Sequence, residues 1–230
     1  MTALDDIRSY YGKDLARMAI ELQAIRLSPQ EPFTWASGYR MPMYNDNRRF
    51  LARAEARTLI ARAFAAAVDA LDLHPANIAG TATAGIPHAT TLADRLALPL
   101  SYVRSSGKDH GMKQQIEGLT AGSYEGAEVL LIEDLISTGG SSIAAVNAIV
   151  AAQGVCPVCL AIFSYGFPAA DQAFGSLSPA CKAYPLLDYG TLVGTALETG
   201  AVTEEGARML SSWRTDPFGW GEAHGFPKKV

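Results

Sequence analysis

The stretch VLLIEDLISTGGSS, residues 129–142, decides the fold. Its four apolar residues, Val129 to Ile132, read as a strand buried on both faces. The strand runs into two adjacent acids, Glu133 and Asp134. A loop of small residues follows, Ser137-Thr138-Gly139-Gly140-Ser141, and then a helix. Small residues let the backbone approach a ligand closely. Their N–H groups and hydroxyls, gathered at a helix N-terminus carrying about half a positive charge, suit a phosphate. Two carboxylates would repel that phosphate, so they should face sugar hydroxyls or a hydrated divalent cation. An ordinary strand–turn–helix is the plain alternative. The acid pair weighs against it, because adjacent carboxylates after an apolar strand gain nothing from a core. The stretch is neither a Walker A loop nor a G-x-G-x-x-G fingerprint.

The flanking sequence alternates strands with helices. NIAGTAT (77–83), LPLSYVR (98–104), AEVLLIED (127–134), VCPVCLAIFSY (155–165) and CKAYPLLDY (181–189) read as strands. IPHATTLADRLA (86–97), SIAAVNAIVAAQG (142–154), a short segment after 165 and one ending near Leu210 read as helices, with Gly154 as a C′ residue. This alternation predicts an α/β fold, a mainly parallel sheet flanked by helices. Ligands of such sheets bind outside the carboxyl ends of the strands. Ahead of this core, about 30 residues with helical spacing lead into EPFTWASGYRMPMYNDNRR (31–49), a bent hairpin-like arm. A long Ala/Leu/Arg helix follows over 51–71. The expected organisation is one domain: helix and hood arm (1–50), core (51–212) and an aromatic tail (213–230). The tail reads equally as a loose end or as a strap.

The 230 residues are 49% hydrophobic and 18% charged, with 19 Lys+Arg against 23 Asp+Glu, a net charge of −4. That excludes extensive disorder and a broad basic surface for nucleic acid. No signal peptide or membrane span is read, and three cysteines suit a reducing cytoplasm. Cys156 and Cys159 form a CxxC inside a strand. An odd separation there places them on opposite faces, as buried thiols rather than a redox or metal pair.

Residues 105–118 show no hydrophobic period. Arg104, Lys108, His110 and Lys113 put four potential cations within ten residues, among Gly107, Gly111 and Ser105-Ser106. This suits a lid closing on a polyanion, or else a solvated loop. Thr81, Ala82, Thr83, Ala84 and Gly85 are small and follow a strand, so their N–H groups suit a second anion. His88 falls inside the next helix and reads as structural.

The 129–142 motif resembles the 5-phosphoribosyl-1-pyrophosphate (PRPP) motif of type I phosphoribosyltransferases. With FTWASGYRMPMYNDNR (33–48), GTATAGIPHA (80–89) and VRSSGKDHGMKQQIEG (103–118), the chain over roughly 15–210 is similar to orotate phosphoribosyltransferases. The resemblance implies that family's fold, with a small N-terminal hood, and transfer of phosphoribose from PRPP to orotate in pyrimidine biosynthesis. It implies that Glu133 and Asp134 hold the ribose hydroxyls, that Ser137 to Ser141 hold the 5-phosphate, and that Thr81 to Gly85 wrap pyrophosphate. Arg104, Lys108 and His110 fall on the catalytic loop's basic positions, with Asp134 as the further catalytic residue. Ser37, Gly38, Arg48 and Ser137 are the orotate candidates. Asn45-Asp46-Asn47 reads either as part of that site or as a turn fixing the arm. Mg²⁺ is implied as cofactor, held mainly through PRPP and water. The implied partner is a second copy, whose loop 105–118 reaches the neighbouring site; neither nucleic acid nor membrane is expected.

Four cations of the better-described family pattern are missing here: a Lys at Ala36, another near Ala84, a basic residue at Ser105 and an Arg after Tyr165. Two other readings stay open on sequence alone. One is transfer to another base. The other is a non-catalytic PRPP-sensing regulator, which a short arm and a negative charge disfavour.

Overall fold

A computed structural model describes residues 3–105 and 115–229. The chain enters through α1 (Ala3–Glu21), β1 (Ile25–Leu27), β2 (Phe33–Thr34), β3 (Arg40–Met41), β4 (Met43–Asn45) and a 3₁₀ helix (Asn47–Ala52). The core follows as α2 (Ala54–Ala70), β5 (Asn77–Thr81), α3 (Gly85–Leu96), β6 (Leu100–Val103), β7 (Ile116–Glu117), β8 (Glu128–Ile136) and α4 (Gly140–Ala151). It continues with β9 (Val155–Ser164), α5 (Pro168–Gly175), β10 (Lys182–Asp188), α6 (Tyr189–Glu198), α7 (Glu204–Thr215) and α8 (Trp220–Ala223).

Six strands form one sheet in the order β10-β9-β8-β5-β6-β7. All neighbours are parallel except β6 and β7. The strand read as buried on both faces is the sheet's centre, and Val129 through Glu133 are all buried. Its side chains alternate between two cores. Leu130 and Ile132 join the larger cluster under α1, α2 and α3, while Val129 and Leu131 join the one under α4 and α5. In α2, Ala56, Ile60, Ala63, Phe64 and Ala67 recur every three or four residues and fill the first core.

The predicted architecture holds, with local corrections. The first helix ends at Glu21, because residues 25–27 pair with β4 as a hood strand. The arm is two small antiparallel pairs, β1–β4 and β2–β3, rather than one hairpin. At the end of α4 the left-handed residue is Gln153 (φ 62), not Gly154. Gln153 N–H bonds Val150 O and Gly154 N–H bonds Ile149 O, both at 2.9 Å, closing a Schellman turn. Gly154 is required for space instead: a Cβ there would stand 2.7 Å from Ile149 Cγ2 and 2.8 Å from a Tyr124 ring carbon.

Cys156 and Cys159 are buried thiols as expected, but their placement on opposite faces is overturned. Glu128 pairs with Val155, but Leu130 pairs with Val158, so β9 carries one extra residue in a bulge at Cys156-Pro157. The extra residue inverts the parity of the strand. Cys156 and Cys159 therefore face the same core, beside Cys181, and all three thiols are free.

The aromatic tail is a strap. α7 runs on to Thr215, and Trp213 is fully buried with its indole N–H on Met41 Sδ at 3.1 Å. Trp220 is also buried, bonding Ser212 Oγ at 3.0 Å and stacking on His224 and Phe226. Lys229 N–H then reaches Gly38 O at 2.9 Å, and the Lys228 ammonium sits 4.2 Å from the Tyr39 ring centroid.

His88 is structural, as read. It is 2% exposed, its Nε2 has no partner, and burial with the nearby Arg57 charge pushes its pKa down to about 4. Between pH 6.5 and 4 the unfolded chain then holds more protons than the folded one. Stability is complete above 6.5 and falls as pH drops to 4, by about 3 kcal/mol at most. His88→Leu removes this contribution, and chemical denaturation at pH 7 and pH 4.5 reads it as a smaller loss on acidification than wild type shows.

Candidate active site

The site arises where β8 outlasts its neighbour. Pairing with β5 stops at Gly80–Ile132, whereas pairing with β9 continues to Ile136–Ser164. The strand therefore extends two residues beyond the expected Asp134, and the acid pair lies inside it with one flank open. The turn after β5 fills that flank. Thr81 Oγ1 donates to Ile132 O at 3.0 Å. A Cβ at Gly85 would stand 2.6 Å from the same carbonyl, so only glycine lets the turn pack this closely. Thr81 is buried and its hydroxyl is committed to the strand. Ala82 and Ala84 are half-buried and Thr83 is exposed, leaving the rest of the turn at the surface.

The two acids do different things. Glu133 is 4% exposed. Its carboxylate accepts from Ser142 Oγ at 3.0 Å, Ser141 Oγ at 3.4 Å and Asp134 N–H at 3.0 Å. It fastens the first turn of α4 to the strand, a position the expected contact with ribose did not foresee. The Ser141 hydroxyl, read as a phosphate ligand, points to the same carboxylate. Asp134 is half-buried, and its carboxyl is pushed up to about 7, first by burial and then by the neighbouring Glu133 charge. An acid held this way gains from any cation or hydroxyl set that arrives to satisfy it.

Beyond the acids, Ser137 is half-buried and Thr138, Gly140 and Ser141 are exposed. Gly139 adopts φ +88, a left-handed conformation that glycine alone takes at no cost. Neighbours lie no nearer than 3.6 Å to a Cβ there, so conformation and not space demands the glycine. The turn aims the chain into α4, whose N-terminus has no side-chain cap. Its first N–H groups are thus available to an anion.

The hood is tied to this edge by Asn47, from the Asn45-Asp46-Asn47 run read either as part of the site or as a turn fixing the arm. Asn47 is 1% exposed, accepts from Asn45 Nδ2 at 3.0 Å and donates to Asp134 O at 2.6 Å. Trp35 lies against Tyr165, with ring centroids 6.4 Å apart, where Tyr165 N–H bonds Ile136 O. Nothing in the local pattern marks Tyr165 or names the partner of Asn47, because both act across long separations.

Arg48 is exposed and its Nε pairs with Asp46 at 2.5 Å, with Asp134 close enough to add attraction. Ser37 is exposed and Gly38 carries the strap's contact at its carbonyl. Arg104 is half-buried and pairs with Glu117 at 3.5 Å, at the start of the segment leading to Lys108 and His110. Lys108, His110 and Lys113 lie outside the described residues. Of the four missing cations, the position after Tyr165 is Gly166.

Among the described residues, no group of three His, Cys, Asp or Glu side chains could hold a metal ion. The donor set is one half-buried acid, Asp134. It fits a cation carried in on diphosphate oxygens and water better than one caged by protein.

A family model, the phosphoribosyl transferase domain, matches residues 48–166. Orotate phosphoribosyltransferase of Streptococcus pneumoniae serotype 4 is 44% identical over 211 residues, 92% of this chain and 98% of that one. That of Bacillus caldolyticus is 46% identical over 208 residues, 90% of this chain and 98% of that one. The solved orotate phosphoribosyltransferase of Aeropyrum pernix superposes with a TM-score of 0.67 at 24% identity, covering 82% of this chain and 99% of that one. At that identity the superposition speaks for the fold, while the sequence relatives speak for the branch. By the family model and these sequence relatives, this chain belongs to the phosphoribosyltransferase family, in its orotate phosphoribosyltransferase branch.

Proposed function

We propose that the chain transfers the 5-phosphoribosyl group of PRPP to orotate, giving orotidine 5′-phosphate and pyrophosphate in pyrimidine biosynthesis. The observation that carries this reading is the 44–46% identity to orotate phosphoribosyltransferases over nine-tenths of the chain. In it, the free N–H groups at the start of α4 and the Ser137–Ser141 loop receive the 5-phosphate. Asp134 accepts hydrogen bonds from the ribose hydroxyls, and Glu133 holds the loop that faces them. The turn Ala82–Gly85 receives pyrophosphate through backbone N–H groups.

As the bond from the anomeric carbon to pyrophosphate breaks, positive charge builds on the ribose and negative charge on the leaving group. Asp134 stands on the side of the first. Arg104, Lys108 and His110 offset the second, and preorganised groups of this kind are typically worth about 10²–10³ in rate each. The base nitrogen completes the exchange at the same carbon. When bound with PRPP, Mg²⁺ supplies further charge neutralisation of the diphosphate. A homodimer whose 105–118 loops exchange between sites completes the proposal. The setting is the cytoplasm, which three free, buried cysteines suit.

Pyrophosphate release tests the reaction. With PRPP and Mg²⁺ present, adding orotate should start release with one equivalent of orotidine 5′-phosphate formed per pyrophosphate. Release that does not depend on orotate contradicts the assignment.

A further inference from the structure

The carboxyl ends of β9 and β10 border a cavity of about 410 Å³, lined by Ser164, Gly166, Asp188, Arg8 and Arg214 among others. It opens beside the phosphate loop. Ser164 is the sheet partner of Ile136, and Ile136 immediately precedes Ser137. Phosphoribose anchored by Asp134 and the loop would present its anomeric carbon, and hence the incoming base, at these strand ends.

Arg214 reaches this place from α7. Its Nη2 donates to Gly166 O at 3.3 Å, and its guanidinium lies 5.7 Å from the Tyr189 ring centroid. Gly166 has φ +65, and a Cβ built there would stand 2.8 Å from Arg214 Nη2. The guanidinium therefore fills the space that a side chain at 166 would occupy. Arg214 is exposed at the rim, and the more buried charges of the lining are engaged. Asp188 caps α6 by accepting from Thr191 N–H at 2.8 Å, and Arg8 Nε donates to Pro185 O at 3.0 Å and pairs with Asp5. Asp171, exposed on α5, is the remaining acid of the lining. Arg214 pairs with no carboxylate among the described residues.

We propose that Arg214 is a specificity-determining residue whose guanidinium receives the carboxylate of the orotate base in this cavity. A planar guanidinium offers two parallel donors to a planar carboxylate, and the Tyr189 face supports it. The proposal rests on orotate being the base.

Initial rates test it, with each substrate varied against a saturating level of the other. Arg214→Gln keeps a donor for Gly166 O and loses the charge. Its KM for orotate should rise roughly 10- to 100-fold, with kcat and the KM for PRPP within about twofold of wild type. Arg214→Lys, which restores the charge without the fork, should recover part of the loss. An unchanged KM for orotate in Arg214→Gln overturns the proposal. So does an equal rise in both KM values, which marks a general structural loss. Wild type that does not use orotate overturns the proposed function instead, and that is seen before any variant is made.

Discussion

Asp134→Asn is expected to be both less active and more stable than wild type. The amide cannot accept two ribose hydroxyl bonds as a carboxylate does, nor offset the charge on the departing sugar. Turnover should fall roughly 10²- to 10³-fold. The gain in stability follows from the same burial. In the folded chain the carboxyl is pushed up to about 7, whereas in the unfolded chain it ionises near 3.8. As pH rises through that window the unfolded state releases its proton first, and the folded state loses stability that it held below pH 3.8. Above pH 7 the wild-type chain carries a buried charge beside Glu133. The asparagine variant should then be more stable by roughly 2–4 kcal/mol at pH 8, with the difference vanishing near pH 4. Thermal unfolding without substrate at the two pH values reads this. Equal stability of the two chains at pH 8 would mean that Asp134 is not held in strained burial.

Lys108→Ala is the second large expected effect. In the resemblance, Lys108 is the cation that meets the leaving pyrophosphate. Removing it should lower kcat roughly 10²- to 10³-fold. Its segment carries no hydrophobic period, so the unfolding midpoint should stay at the wild-type value. The two variants together test the shared site. A mixed dimer of Lys108→Ala and Asp134→Asn subunits has one site with an intact Asp134 and an intact neighbouring loop. Activity should reappear on mixing two nearly inactive proteins. No recovery, with subunit exchange demonstrated, would mean that each loop serves its own site.

Much of this was legible in the chain because it depends on local period and local chemistry. The alternation of strands and helices, the central strand and its phosphate loop all announce themselves within about fifteen residues. What was not legible depends on parity or on distance. One extra residue at Cys156-Pro157 turns two cysteines onto one face, and counting along a strand has no means of detecting a bulge. The acid pair reads as two equal carboxylates. In the structure Glu133 lies on the α4 face, held by serines eight and nine residues on, and Asp134 lies on the opposite face near Tyr165 and Arg48. Asn47 reads either as a site residue or as a turn residue, and its bond to Asp134 O crosses 87 positions. The tail's aromatics gave no partner in sequence. The structure gives them the hood, through Trp213 on Met41 and Lys229 on Gly38.

A net charge of −4 excludes a broad basic surface but not a small site for a polyanion. The charge for such a site is local, in uncapped N–H groups at α4 and cations in one short segment.

The base accepted distinguishes this reaction from other phosphoribosyl transfers. The most direct measurement follows loss of orotate absorbance with PRPP and Mg²⁺, with hypoxanthine and uracil each offered in its place. The predicted result is orotate consumption that requires both PRPP and Mg²⁺, with neither of the other bases converted at a comparable rate. Conversion of hypoxanthine or uracil in preference to orotate would contradict it.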